Sequence, residues 1–270
     1  MSRFRFVSRL AVLPLLVLVA GLPAGAQEIP ADPVFQGFVP IGDYALTVDG
    51  TVREASMYRS DKAGSALLIV SPVLPGPVLV SPRQRTVQSM DRVKVVQRAD
   101  GSADILADTR FTSQGSFRVE GTDVAFEVAG KSVRLREKPD LLGVQQAGDL
   151  LAHSVEYGYL ARQYTPSAPM LRALQGVAQP ITVRVFFGSW CPYCKQVLPR
   201  LISVAEKLEG SKIGFEFYGL PRGFGEEPEA KRLGITGVPT AVVMRGGREI
   251  GRIEGADWKI PELALKNLAG

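Results

Sequence analysis

The chain has 270 residues, of which 22% are charged and 46% hydrophobic, and these are values of a globular protein. Its formal net charge is +5. After residue 26, however, the sequence contains no dense cluster of lysines and arginines with interleaved aromatic residues. This composition does not indicate a nucleic-acid partner.

The first 26 residues are predicted to be a secretory signal peptide. Arg3, Arg5 and Arg9 precede a mostly apolar run over residues 10–22, and small residues follow at 24–26. The run is shorter than the roughly 20 residues that a membrane span needs, although an uncleaved anchor is the alternative. We expect cleavage after Ala26 and a periplasmic or secreted protein, in a compartment where disulfides persist.

The remaining 244 residues, 270 less 26, are enough for two domains, and without the three arginines their net charge falls to +2. Residues 27–139 are predicted to form a β-rich, mostly antiparallel N-terminal domain with hairpin turns at Asp49-Gly50 and Asp100-Gly101. The predicted strands are 45–48, 51–58, 93–98, 103–107 and an alternating segment with Val124, Phe126, Val128, Val133 and Leu135. Prolines interrupt the apolar stretch 66–80 and indicate a loop or an edge there rather than a membrane helix: Pro72, Pro75, Pro77 and Pro82.

Residues 140–168 are predicted to be a helical connector of one or two pieces. Apolar residues recur at helical intervals from Leu141 to Leu160, and Pro166 and Pro169 are typical of a hinge into the next unit.

Residues 169–270 alternate strand and helix patterns. The predicted strands are 181–187, 213–218, 240–244 and 249–253, and the predicted helices are 192–208, 226–233 and 261–268. This order predicts an α/β domain whose mixed sheet is flanked by helices, with a ligand site at the carboxyl ends of its strands.

The only two cysteines of the sequence, Cys191 and Cys194, lie at such a place, between the strand 181–187 and the helix that follows. A thiolate at a helix start is stabilised by unpaired backbone N–H groups and by the helix dipole. A disulfide that closes so short a loop adds little stability, so the pair is predicted to be reactive. A structural disulfide and half of a metal site are the alternatives, although a closed zinc site usually needs four ligands and the only histidine, His153, lies 38 residues before the pair.

Residues 169–268 resemble the thioredoxin superfamily. The matching features are the strand ending in Val185-Phe186-Phe187, the run Trp190-Cys191-Pro192-Tyr193-Cys194-Lys195, Pro199, the segment Gly234-Ile235-Thr236-Gly237-Val238-Pro239-Thr240, and Gly255.

The resemblance implies a thioredoxin-like fold and a redox-active disulfide between Cys191 and Cys194. It implies that Cys191 is the solvent-facing nucleophile and Cys194 the buried resolving thiol. It also implies that Pro239 is a cis-proline facing the pair, that Val238 offers backbone groups to an extended substrate, and that Trp190 shields the site.

Val185 departs from the family pattern, and Lys195 has two possible roles. Val185 stands where thioredoxins keep a buried acid, so proton removal from the buried thiol must use water or another group. Lys195 either adds positive charge near the thiolates or is an ordinary solvated helix residue.

The sequence therefore predicts an exported thiol:disulfide oxidoreductase of the reductase or isomerase type, which exchanges disulfides with cysteines of envelope or secreted proteins. The dithiol and disulfide forms of the cysteine pair are themselves the redox couple. The sequence contains no nicotinamide or flavin motif, so we expect no cofactor and no metal. The N-terminal domain could form a homodimer, hold substrate or dock a membrane redox partner. The alternative is a non-catalytic redox-sensing or metal-binding module that uses the same cysteines.

Overall fold

A computed structural model describes residues 35–270, so the predicted signal peptide and its cleavage site lie outside the described residues. The described residues belong to one compact unit, and the domain limits at residues 139 and 168 stay predictions. No helix in the described part of the chain is long and apolar enough to cross a membrane.

The N-terminal part is built from strands, and its pairings are all antiparallel. The strands are β1 Val39–Ile41, β2 Tyr44–Val48, β3 Thr51–Arg53, β4 Ser56–Ser60, β5 Ala66–Val70, β6 Val78–Ser81, β7 Thr86–Ser89, β8 Val95–Gln97, β9 Ala103–Ile105, β10 Thr112–Gly115, β11 Arg118–Glu120, β12 Asp123–Val128 and β13 Lys131–Glu137. One sheet has the order β1-β4-β5-β6-β7-β10, the second has the order β11-β12-β13-β2-β3, and β8 pairs with β9. The prediction of a mostly antiparallel β-rich part is confirmed.

The two larger sheets pack face to face around an apolar core. Side chains from both sheets fill it, among them Ile69 and Val78 from the first and Phe126 and Leu135 from the second. Next to Ile69, the Leu68 side chain packs into a separate core beneath the β8–β9 hairpin. Because β5 is buried on both faces, it is continuously apolar rather than alternating.

The hairpin at Asp49-Gly50 is confirmed, and both residues have the positive φ that such a turn needs, 49° and 79°. The single strand predicted over residues 51–58 is wrong. β3 is exposed throughout and ends at Arg53, whereas the side chains of Met57 and Tyr58 are buried in the other sheet. Burial of those apolar residues decides the break, because an exposed edge strand offers them no core.

Pro72, Pro75 and Pro77 lie in the loop between β5 and β6, whereas Pro82 lies in the turn between β6 and β7. These two strands pair with each other inside the six-stranded sheet. The prediction of a loop is confirmed, and the apolar segments beside it are central rather than edge strands.

A strand and three helices follow: β14 Gly143–Gln145, α1 Ala147–His153, α2 Val155–Gln163 and α3 Ala168–Gln175. The helix predicted to begin at Leu141 is wrong in its first part, since β14 pairs with a later strand. Gly143 has a φ of 71°, which a helix does not accommodate. Pro169 was interpreted as part of a hinge, but it lies in the first turn of α3, a position that proline favours.

The last part contains β15 Ile181–Phe187, α4 Pro192–Lys207, β16 Ile213–Gly219, α5 Pro228–Arg232, β17 Thr240–Arg245, β18 Arg248–Ile253 and α6 Pro261–Ala269. Its sheet has the order β14-β16-β15-β17-β18, and only β15 and β16 are parallel. The predicted mixed sheet is confirmed. β15 is central, so the chain leaves it at Phe187 in the middle of the sheet and enters the cysteine motif.

Candidate active site

Cys191 caps the amino terminus of α4, and its sulfur accepts a hydrogen bond from the backbone N–H of Cys194 at 3.3 Å. Pro192 occupies the first turn of the helix, where its missing N–H costs nothing. Both thiols are free. The resemblance implied a solvent-facing nucleophile, yet only 8% of Cys191 is exposed, against 0% of Cys194. Access to the pair is therefore narrow and reaches Cys191 first.

The two thiols have opposite electrostatic environments. Hydrogen bonds from the Cys194 thiol and from the backbone N–H groups of Cys194 and Tyr193, with the positive charge of Lys195, lower the pKa of Cys191 to about 6. Burial raises the pKa of Cys194. At neutral pH Cys191 is therefore a thiolate and Cys194 a protonated thiol. These are the states that a nucleophilic and a resolving cysteine need.

The loop before β17 faces the nucleophile. The Val238–Pro239 peptide bond is cis, as the resemblance implied, and the carbonyl oxygen of Val238 lies 3.8 Å from the sulfur of Cys191. The fully buried Trp258 donates its indole N–H to the carbonyl of Pro239 at 3.0 Å. Sequence analysis gave Trp258 no role, because its partner lies 19 residues away and no local pattern marks the contact.

Trp190 lies at the edge of the pair and is fixed by its own hydrogen bond. Its indole N–H donates to the carbonyl of Leu220 at 2.8 Å. The guanidinium carbon of Arg222 lies 5.8 Å from the centroid of the Trp190 ring. Nη2 of the same arginine lies 2.5 Å from Oε1 of Glu137. Arg222 thereby joins β13 of the N-terminal part to the rim of the site.

Lys195 forms an ion pair with Asp43, with 2.7 Å between Nζ and Oδ1. Their side chains are only 15% and 16% exposed, so Lys195 is not an ordinary solvated helix residue. Sequence analysis missed Asp43, which lies 152 positions earlier in the turn between β1 and β2. No pattern in the sequence marks this pairing.

Val185 is fully buried in the core and brings no acid to the pair. His153 ends α1, and burial together with the Lys138 charge lowers its pKa. In residues 35–270 no three histidine, cysteine or acidic side chains come together as a metal site.

Comparisons with known proteins find similarity to thioredoxins in the part of the chain that carries the cysteine pair. The family model of the thioredoxin-like domain matches residues 170–263. Mitochondrial thioredoxin-2 of Schizosaccharomyces pombe is 34% identical over 82 residues, which are 30% of this chain and 58% of that protein. The chloroplastic F-type thioredoxin of Mesembryanthemum crystallinum is 32% identical over 83 residues, 31% of this chain and 41% of that protein.

The chain thus spans less than two thirds of the length of these two relatives. The crystal structure of thioredoxin from Trypanosoma brucei brucei is also similar, with 16% identity over 38% of this chain and 87% of that chain and a TM-score of 0.27. Residues 170–263 are thus similar to the thioredoxin-like domain family and to thioredoxins, and they follow a strand-rich N-terminal part.

Proposed function

We propose that this protein is an exported thiol:disulfide oxidoreductase of the reductase or isomerase type, acting on cysteines of envelope or secreted proteins. The observation that carries the proposal is the contrast between the two sulfurs of one helix turn. Cys191 is the more accessible and has a pKa of about 6, while Cys194 is fully buried and its pKa is raised.

The reaction is two successive exchanges. The Cys191 thiolate attacks one sulfur of a substrate disulfide, that S–S bond breaks, and the second substrate sulfur leaves as a thiolate that takes up a proton. Cys194 then loses its proton and attacks the sulfur of Cys191 in the mixed disulfide. The Cys191–Cys194 disulfide forms, the S–S bond between Cys191 and the substrate breaks, and the first substrate sulfur leaves as a thiolate that takes up a proton, so two electrons have passed to the substrate.

Substrate is proposed to lie across Trp190 and the Val238–Pro239 loop. The backbone carbonyl of Val238 lies beside the attacking sulfur, so a peptide strand paired with this loop brings its own cysteine to Cys191. The indole of Trp190 is fixed through Leu220 and supplies an apolar wall.

The preference for reductase or isomerase over oxidase comes from the architecture, in which a separate N-terminal part precedes the thioredoxin-like domain. Export rests on the sequence of the first 26 residues. For the N-terminal part, the candidate roles are dimerisation, substrate holding and docking of a membrane redox partner.

The experiment is mixed-disulfide trapping in the cell. The Cys194→Ser variant cannot resolve its adducts, so we expect it to accumulate disulfide-linked substrates through Cys191 that a reductant releases. Cys191→Ser/Cys194→Ser is the matched control and should trap nothing. If Cys194→Ser captures no protein while the purified wild type binds stoichiometric metal, the pair is a non-catalytic module and the proposal is wrong.

A further inference from the structure

The turn between β1 and β2 reaches from the N-terminal part to the helix that carries the cysteines. In it, Asp43 pairs with Lys195, the residue after Cys194, at 2.7 Å. With about 15% of each side chain exposed, water screens this pair less than it screens an ion pair at the surface.

The backbone fixes the position of Asp43. Its carbonyl accepts a hydrogen bond from the backbone N–H of Lys138 at 2.8 Å. The preceding Gly42 lies so close to α2 that a Cβ on it would come within 2.6 Å of the Cα of Ser154. The carboxylate is therefore held in place and does not follow a mobile loop.

Lys195 acts on the nucleophile from one helical turn away. Its backbone N–H donates to the carbonyl of Cys191 at 3.2 Å, and its charge is one of the groups that favour the Cys191 thiolate. An ammonium group that turned freely toward the sulfur would stabilise the thiolate more than one held by a carboxylate.

We propose that Asp43 is a positioning residue of the active site, which by pairing with Lys195 restrains that cation and limits the reactivity of Cys191 from the N-terminal part of the chain. This inference rests on the proposed thiol chemistry. It gives the N-terminal part an electrostatic role at the cysteine pair, in addition to any role in binding.

Other charged or titratable groups surround the ion pair. His153 on α1, Glu156 and Tyr157 on α2, and Tyr44 on β2 each interact with the charge of Asp43. Around His153 and Glu156 lie the charged side chains of Lys138, Asp140, Arg59 and Asp61. Burial and the Asp43 carboxylate raise the pKa of Glu156, which favours its neutral form. Lys138 is engaged by the His153 carbonyl at 2.8 Å. None of these groups forms an ion pair with Lys195 in residues 35–270, whereas Asp43 does.

The test measures the ionisation of Cys191 in the full-length reduced protein, by the pH dependence of its alkylation by iodoacetamide. Asp43→Asn frees Lys195, so at pH 5, below the midpoint, the alkylation rate should rise about threefold. Asp43→Glu keeps the charge and should restore the wild-type profile. Asp123→Asn is the control, because Asp123 is 17% exposed and pairs with Arg134 and Arg136 inside the N-terminal part, and its profile should match the wild type.

A second variant changes Lys195 and leaves the turn between β1 and β2 intact. Lys195→Met should lower the alkylation rate at pH 5, and adding Asp43→Asn to it should change the rate by less than Asp43→Asn does alone. The inference is overturned if Asp43→Asn leaves the profile unchanged, or if its effect is equally large in the Lys195→Met background. Because alkylation needs no substrate protein, a shifted profile in a protein that traps no substrate would refute the proposed function and leave this inference standing.

Discussion

Lowering the pH should remove a stabilising contribution that the Cys191 thiolate makes to the reduced protein. Its pKa is about 6 in the folded protein, against 9.0 for an unperturbed thiol. A folded-state pKa below the unfolded value means that ionisation stabilises the fold at high pH, and that this stabilisation is lost as the pH falls through the folded pKa. The contribution is about 2.7 kcal/mol at pH 8, about 1.4 kcal/mol at pH 7 and nearly zero at pH 5.

The assay is equilibrium urea unfolding of the wild type and of Cys191→Ser, both kept reduced, at pH 5, 7 and 8. Carboxylates and His153 titrate in both proteins, so the difference between their free energies of unfolding isolates the thiol. We expect the wild type to gain about 1.3 kcal/mol over the variant between pH 5 and pH 7, and about as much again by pH 8.

A difference that stays constant from pH 5 to pH 8 would refute the reasoning, because Cys191 would then ionise alike in the folded and unfolded chains. The same result would remove the main support for its role as nucleophile. An unfolding slope that changes between the two proteins would show that more than the thiol has changed, and Cys191→Ala would then replace Cys191→Ser in the comparison.

Two further predictions concern the supports of the site. Trp258→Phe keeps a buried aromatic ring, but the ring is smaller and the carbonyl of Pro239 loses its donor. Urea unfolding should therefore show a loss of at least about 1–3 kcal/mol, and a neutral result would mean that the bond contributes nothing. Gly219→Ala would place a Cβ 2.1 Å from the carbonyl oxygen of Leu141 and should displace β14, with a stability loss of about 1–3 kcal/mol. Gly214→Ala on the same strand, with its nearest atom at 4.0 Å, is the matched control and should be close to neutral in the same assay; equal losses in both would contradict the clash.

Local patterns predicted the thioredoxin-like part well, because each of its elements carries its own signals. β15 alternates apolar and polar residues up to Arg184, ends in Val185-Phe186-Phe187 and is bounded by turn residues, and α4 and α6 begin with prolines in their first turns. The same reasoning failed for residues 141–145, where apolar spacing favoured a helix. Residues 143–145 form a strand because Gly143 has a positive φ and because β16 offers them an edge to pair with. The spacing of apolar side chains shows neither of these causes.

Three features of the candidate site can be identified without a structure: two cysteines at a helix start, a proline 48 residues beyond Cys191, and no acid at Val185. The groups that surround these residues become visible only in the folded chain. Asp43 meets Lys195, Trp258 holds the Pro239 carbonyl, and Arg222 lies over Trp190. Helix and strand patterns come from neighbours a few positions apart, whereas these contacts join residues from 19 to 152 positions apart, and packing of the whole chain fixes which of them meet.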